Sequence, residues 1–261
     1  MLPALLLLLQ ASGPVTDKSL PTLNELQFEE CSALARKDPA SAVMEASLWA
    51  QQGGGYLAKA CHGLALANDF RFTEARVLFA AAAREADSQR DSRAARFWAQ
   101  AGNAAIVAGQ PADALSALDT ALASNVPTNP ERADIEIDRA RALVALKRDA
   151  DAVSALTSAR GYNAENGTAW LLSATLARRT NALSDALTYI KTAALITPRD
   201  AAVALEAGNI AIAAGDEVSA RKQWEQAIAV APASRQATTA RAQLSALGNA
   251  ATPPATDDQS R

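Results

Sequence analysis

Aromatic side chains make up only 5% of this 261-residue chain, histidine occurs once and cysteine twice. A metal site needs three or four convergent ligands, and two cysteines with one histidine do not supply a recognisable set, so neither a metal nor another cofactor is expected. Lys and Arg do not outnumber Asp and Glu: the formal net charge is -3. That balance excludes the basic stripe of a nucleic-acid binder and the polybasic patch of a membrane-surface protein. Motifs of hydrolytic and phosphate chemistry are missing as well. No H-E-x-x-H or G-x-S-x-G occurs, and the glycine run Gln51–Tyr56, "QQGGGY", is not followed by the Lys-Ser/Thr of a phosphate loop, so it reads as a helix end and turn. No apolar run approaches the roughly 20 residues of a membrane span. The run Leu2–Leu9 has the length of a signal-peptide core, with residues 1–15 as the leader and Ala11 able to end its cleavage site. Without a preceding Lys or Arg, the alternative is an apolar first helix turn and a cytoplasmic protein. Export, to the periplasm or an equivalent compartment, is the expectation taken here.

What the chain does contain is alanine, in every segment, with glycine and proline mostly between the runs. Alanine has the best helix propensity and occupies little space. The composition therefore predicts an all-α protein with closely packed helices. Self-similarity gives the arrangement. In the stretch from Ala201, Gly208 is the eighth residue, Ala220 the twentieth, Trp224 the twenty-fourth, Ala227 the twenty-seventh and Pro232 the thirty-second. A shift of 34 residues to Gly167 places Ala174, Ala186, Ile190, Ala193 and Pro198 on the same marks, and a further 34 to Ala133 places Ala140, Ala152, Leu156 and Ala159. Looser copies begin at Ala95 (Trp98, Gly102, Ala114, Leu118, Ala121), at Tyr56 (Gly63, Ala75, Phe79, Ala82) and near Leu23 (Ala42, Ala46, Trp49).

This register resembles the tetratricopeptide repeat (TPR), W-x2-L-G-x2-Y followed by A-x3-F-x2-A and P, over roughly residues 23 to 232. The second half of the signature recurs at the marks of all six copies, with Ala46 and Trp49 in the first standing where the others have a large residue and alanine, while tryptophan opens only two of them, at Trp98 and Trp170. The resemblance implies a right-handed α-solenoid of about six antiparallel helix pairs. The units would lie near 23–55, 56–94, 95–132, 133–166, 167–200 and 201–233 within a solenoid over 19–248. A capping helix would follow at 234–248, and a disordered tail at 249–261, which has proline, small and charged residues and no apolar pattern. Thr22 and Glu25 stand at capping-box spacing, Gly109 and Gly215 suit the left-handed residue that ends a first helix, and Pro39 and Pro130 open helices after Asp38 and Asn129. A lone helix pair cannot cover its own apolar faces, so units stack on their neighbours.

In such repeats the first helices of the units line a concave surface. The resemblance places there Arg96, Gln100 and Asn103; then Asp138 and Arg141 with Asp134; then Thr175, Arg178 and Arg179 with Thr168; and Asn209. Asparagines can bond a peptide backbone and arginines can grip carboxylates. The expected function is a non-catalytic adaptor or scaffold that holds a protein partner, as an extended peptide or a helix, in this groove. The alternative is a structural solenoid that associates with itself, so monomer and homo-oligomer both stay open. A more remote alternative is an enzyme using Cys31 or Cys61 with His62. Cys31 and Cys61 fall on the first helices of neighbouring units, so a disulfide between them competes with two buried free thiols.

Overall fold

A computed structural model of the protein describes residues 20–124 and 127–250. Among these residues there are thirteen helices and no strand: α1 Leu23–Lys37, α2 Pro39–Gln51, α3 Gly55–Asn68, α4 Phe72–Ser88, α5 Ala94–Val107, α6 Pro111–Ala123, α7 Asn129–Ala145, α8 Asp149–Tyr162, α9 Gly167–Arg179, α10 Leu183–Ile196, α11 Ala201–Ala213, α12 Glu217–Val230 and α13 Arg235–Ala250. Odd-numbered helices up to α11 are the first of each pair (A) and even-numbered ones the second (B). Each helix packs on its neighbours in sequence, and A helices also touch the next A helix, as α1 does α3, α5 does α7, α7 does α9 and α9 does α11. The molecule is an all-α solenoid. The expected leader over 1–15 and the tail from 251 lie outside the described residues, and α13 runs two residues past the expected end of the cap, to Ala250.

Helix starts follow local chemistry. Thr22 and Glu25 form a reciprocal capping box on α1. Asp38 caps α2 through the Ser41 amide, with Pro39 in the first turn. At α7 the sequence reading is corrected by one residue. Thr128, not Asn129, is the cap, in a box with Glu131, and Pro130 falls within the first turn, where its missing N–H has no partner to lose.

The five A-to-B turns from α3 onward are built alike. One residue is left-handed, and the next donates its N–H five residues back: Arg71 to Leu66, Gln110 to Ala105, Arg148 to Leu143, Ala182 to Ala177 and Asp216 to Ala211, at 2.8–2.9 Å. Glycine fills the left-handed position only at Gly109 and Gly215; the others are Phe70, Lys147 and Asn181. Phe70 is 82% exposed and leans on Phe72, with ring centroids 6.2 Å apart.

The core explains the eighth and twenty-fourth marks together. A Cβ on Gly208 would come closer than 3.0 Å to the Trp224 indole, and one on Gly102 closer than 3.0 Å to Leu118. Gly63 lies against the Phe79 ring in the same way, at 3.0 Å. In these three units the large residue of the B helix thus rests on the bare backbone of its own A helix, and from the second unit onward the alanines at the twentieth and twenty-seventh marks are fully buried. Burying a side chain such as Leu118 stabilises by about 2 kcal/mol. Between units, the Arg160 guanidinium of α8 lies 5.1 Å from the Trp170 ring and 4.5 Å from the Tyr189 ring, tying the fourth pair to the fifth.

Candidate functional site

Three cavities lie along the A-helix layer. The first, of about 350 Å³, lies between α1 and α5 over Leu64, with Phe28, Glu29 and Arg36 on one wall and Arg93, Arg96 and Gln100 on the other. The second, of about 450 Å³, separates α5 from α7, with Arg96 facing Glu131, Asp134 and Asp138. The third, of about 170 Å³, lies between α7 and α9 and is mostly apolar, with Val144, Leu156, Leu172 and Leu176 below and Arg141, Thr175 and Arg179 around them.

The expected groove residues divide into two groups. Arg96 and Gln100 line cavities, and Arg141 and Thr175 line the third. Asn103 donates Nδ2 to Asp138 Oδ2 at 3.0 Å, and Arg141 donates to Asp138 Oδ1, so Asp138 joins α5 to α7. Arg178 and Asn209 belong to a different cluster. Arg178 Nε donates to Oε1 of the buried Glu206 at 2.7 Å. Asn209 gives Nδ2 to Glu206 and accepts the Trp224 indole N–H, both at 3.2 Å. Both hold α9, α11 and α12 together. Arg36 escaped the sequence reading because it sits one residue beyond the expected groove positions of the weakly marked first unit. Val144 holds the same place in its unit as Arg178 but is apolar, and only polar residues mark a groove position, whereas the spacing of Leu172 is that of ordinary core.

Electrostatics on this face are set by hydrogen bonds. The Thr128 amide and hydroxyl hold the Glu131 carboxyl below its usual range, with Arg96 adding to the effect. Asp134 accepts from Asn166 Nδ2 at 3.0 Å, bridging α7 to the start of α9. Glu136, on α7 beside Arg139, is pushed up by burial.

At the first units a polar clasp adjoins the groove. Arg93 donates to Glu25 at 2.9 Å and to the Tyr56 hydroxyl at 2.7 Å, and it pairs with Asp91. Tyr56 donates in turn to Asp91 at 2.5 Å. Burial, and then this bond, raise the Tyr56 hydroxyl to about 12. The Arg93 guanidinium holds the Asp91 carboxyl far below its usual range.

Behind the clasp Cys31 and Cys61 are joined as a disulfide, Cα to Cα 6.1 Å, linking α1 to α3. Neither thiol is then free to act as a nucleophile. His62 is held below its usual range by burial, with Arg71 contributing. Among the described residues no group of three or more His, Cys, Asp or Glu could hold a metal ion, and no helix is long and apolar enough to cross a membrane.

No protein-family model matches the chain, and no curated protein matches its sequence. Solved structures do. PilW, described as a widely conserved type IV pilus biogenesis factor, is similar at a TM-score of 0.70 and 18% identity, over 84% of this chain and 99% of PilW. PilF of Pseudomonas aeruginosa gives a TM-score of 0.65 at 17% identity, over 84% of this chain and 99% of PilF. YrrB, described as a TPR protein with an unusual peptide-binding site, gives 0.53 at 18% identity, over 75% of this chain and 96% of YrrB. These likenesses establish the fold, which is that of the tetratricopeptide-repeat proteins.

Proposed function

We propose that the protein is a non-catalytic adaptor whose A-helix groove holds a segment of a partner protein, extended or helical. The observation that carries this is the row of three cavities along one layer of the solenoid, each with polar side chains over an apolar floor. Such a surface is preformed, because the helices beneath it are fixed by stacking on both sides, and a bound peptide is spared the cost of ordering its receptor. One structural neighbour, YrrB, is described as having a peptide-binding site on the same fold.

An exported setting belongs to the same reading. It is supported by the Cys31–Cys61 bond, since disulfides persist in oxidising compartments, and by the apolar run Leu2–Leu9.

The test is crosslinked capture from native extract by wild type beside an Arg96→Ala, Arg141→Ala variant, with helicity checked by circular dichroism. Loss of a captured partner by a fully helical variant is the expected outcome. Identical capture by both proteins would refute the groove as the site.

A further inference from the structure

We propose that the groove takes an acidic, extended segment carrying one aromatic or leucine side chain, seated in the cavity between α7 and α9. This rests on the groove reading above and names the chemistry of its occupant. Several charges on the face are already engaged. Asp134 is bound by Asn166, Asp138 by Asn103 and Arg141, Glu131 by its own helix cap, and Glu206 by Arg178 and Asn209. The arginines are not matched in the same way. Among the described residues, neither Arg96 nor Arg179 has a carboxylate within 4.0 Å, and Arg141 shares its one partner, Asp138, with Asn103. Asn166 and the helix cap leave Asp134 and Glu131 charged, so the second cavity stays acidic, and the cavity whose charge is positive is the third.

The first cavity is less decisive, because Glu29 and Arg36 both line it. The third is sharper, since its only charged lining residues are Arg141 and Arg179. Thr175 donates its hydroxyl to the Leu171 carbonyl, which leaves the guanidiniums as the donors of this lining. The volume then selects the side chain. A dry apolar cavity of about 150 Å³ accepts one benzene ring, and this one measures about 170 Å³. A phenylalanine ring or a leucine fits within it, whereas an indole would stand partly outside its open mouth. Carboxylates on either side of that residue meet the two guanidiniums, in the charge-assisted geometry arginine favours. Single-stranded nucleic acid, with a base in the hole and phosphates on the arginines, is the competing occupant. A nucleic acid carries a phosphate at every residue along its length, so it must also run past Glu131, Asp134 and Asp138 in the neighbouring cavity, whereas a peptide can confine its carboxylates to the two arginines.

The experiment is fluorescence polarisation with the full chain and a labelled nine-residue peptide that has a central phenylalanine and two glutamates on each side. Control peptides carry central alanine, or lysines in place of the glutamates, and an oligothymidine serves as the nucleic-acid arm. Saturable binding is expected for the acidic phenylalanine peptide alone, weaker by about tenfold or more with central alanine and weakened by salt. Arg141→Glu with Arg179→Glu abolishes it, Thr175→Trp blocks it by filling the cavity, and Arg221→Glu on the exposed face of α12 leaves it unchanged, all with native helicity. Equal binding of the acidic and lysine peptides, preference for oligothymidine, or indifference to both groove variants would overturn the proposal. Should no acidic peptide bind while native capture still depends on Arg96 and Arg141, the acidic class is wrong and the groove reading survives. Acidic binding that ignores Arg141, Arg179 and Thr175 overturns the assignment to the third cavity, while the groove reading stands or falls with the Arg96 and Arg141 capture.

Discussion

The indole of Trp224 lies on the backbone of Gly208, so close that a Cβ there would overlap the ring. Gly161, near the end of α8, has nothing within 4 Å of the same hypothetical atom. The two glycines therefore respond oppositely to one substitution. Gly208→Ala forces the indole out of place and lowers stability by about 1–3 kcal/mol, the usual cost of overpacking. Gly161→Ala raises it by roughly 0.5–1 kcal/mol, through helix propensity and a stiffer unfolded chain. Urea unfolding followed by circular dichroism measures both, and a stabilised Gly208→Ala would mean the contact is absent.

The Cys31–Cys61 bond closes a loop with a sequence separation of 30. In the chain-entropy model that contributes about 3–4 kcal/mol. Because stability in a stacked array is local, the loss on reduction should appear as early melting of α1 and α2 rather than a uniform shift. Hydrogen exchange of the oxidised and reduced protein reads this directly. Two free thiols in denatured, unreduced protein would contradict the bond.

The clasp around Tyr56 makes stability depend on alkaline pH. In the unfolded chain a tyrosine ionises near 10.0, whereas in the fold Tyr56 holds its proton to about 12. A raised value stabilises the folded state fully below pH 10, and that stabilisation is lost as pH climbs toward 12, because unfolding then releases a proton. The amount is about 2–3 kcal/mol. Tyr56→Phe should flatten the slope of stability against pH in this window. An unchanged slope would place the late-titrating group elsewhere. Asp91 acts at the other end: its depressed carboxyl stabilises the fold above the normal aspartate range and ceases to do so as acid protonates it.

Arg178 answers the buried carboxylate of Glu206, which is 7% exposed. Arg178→Ala leaves that charge with Asn209 alone and should cost about 2–3 kcal/mol, whereas Arg178→Met combined with Glu206→Leu should recover most of it. Thermal melts of the two variants decide the matter. Equal stability of the single and double variants would show that the pair is not coupled.

Much of this architecture could be read from residue spacing. The 34-residue register of Gly208, Ala220 and Trp224 fixes helix phase, since only small residues allow close approach and a large one must lie opposite. Which way a long polar side chain turns is not periodic. Asn103 and Asn209 hold the same place in their units, yet Asn103 bonds Asp138 across to α7, whereas Asn209 turns to Trp224 and Glu206. The difference follows from the neighbours: Glu206 and Trp224 offer Asn209 a carboxylate and an indole N–H within its own unit, whereas the matching residues near Asn103 are Gln100 and Leu118, and its carboxylate partner lies across on α7. Turn geometry was half visible. Gly109 and Gly215 announce it and Asn181 allows it, while Phe70 and Lys147 adopt it without a residue type that marks it.

Mechanically, a stacked array is weakest at its ends, where a pull on the chain can peel one helix at a time. The bond from Cys31 to Cys61 changes what the first unit can yield. Tension on the N-terminus can unwind α1 only as far as Cys31; beyond that the force passes directly to α3, and the thirty or so residues between, about 100 Å of contour, cannot be drawn out. In the oxidised protein, a load arriving from the N-terminal side is handed past the first pair to the second.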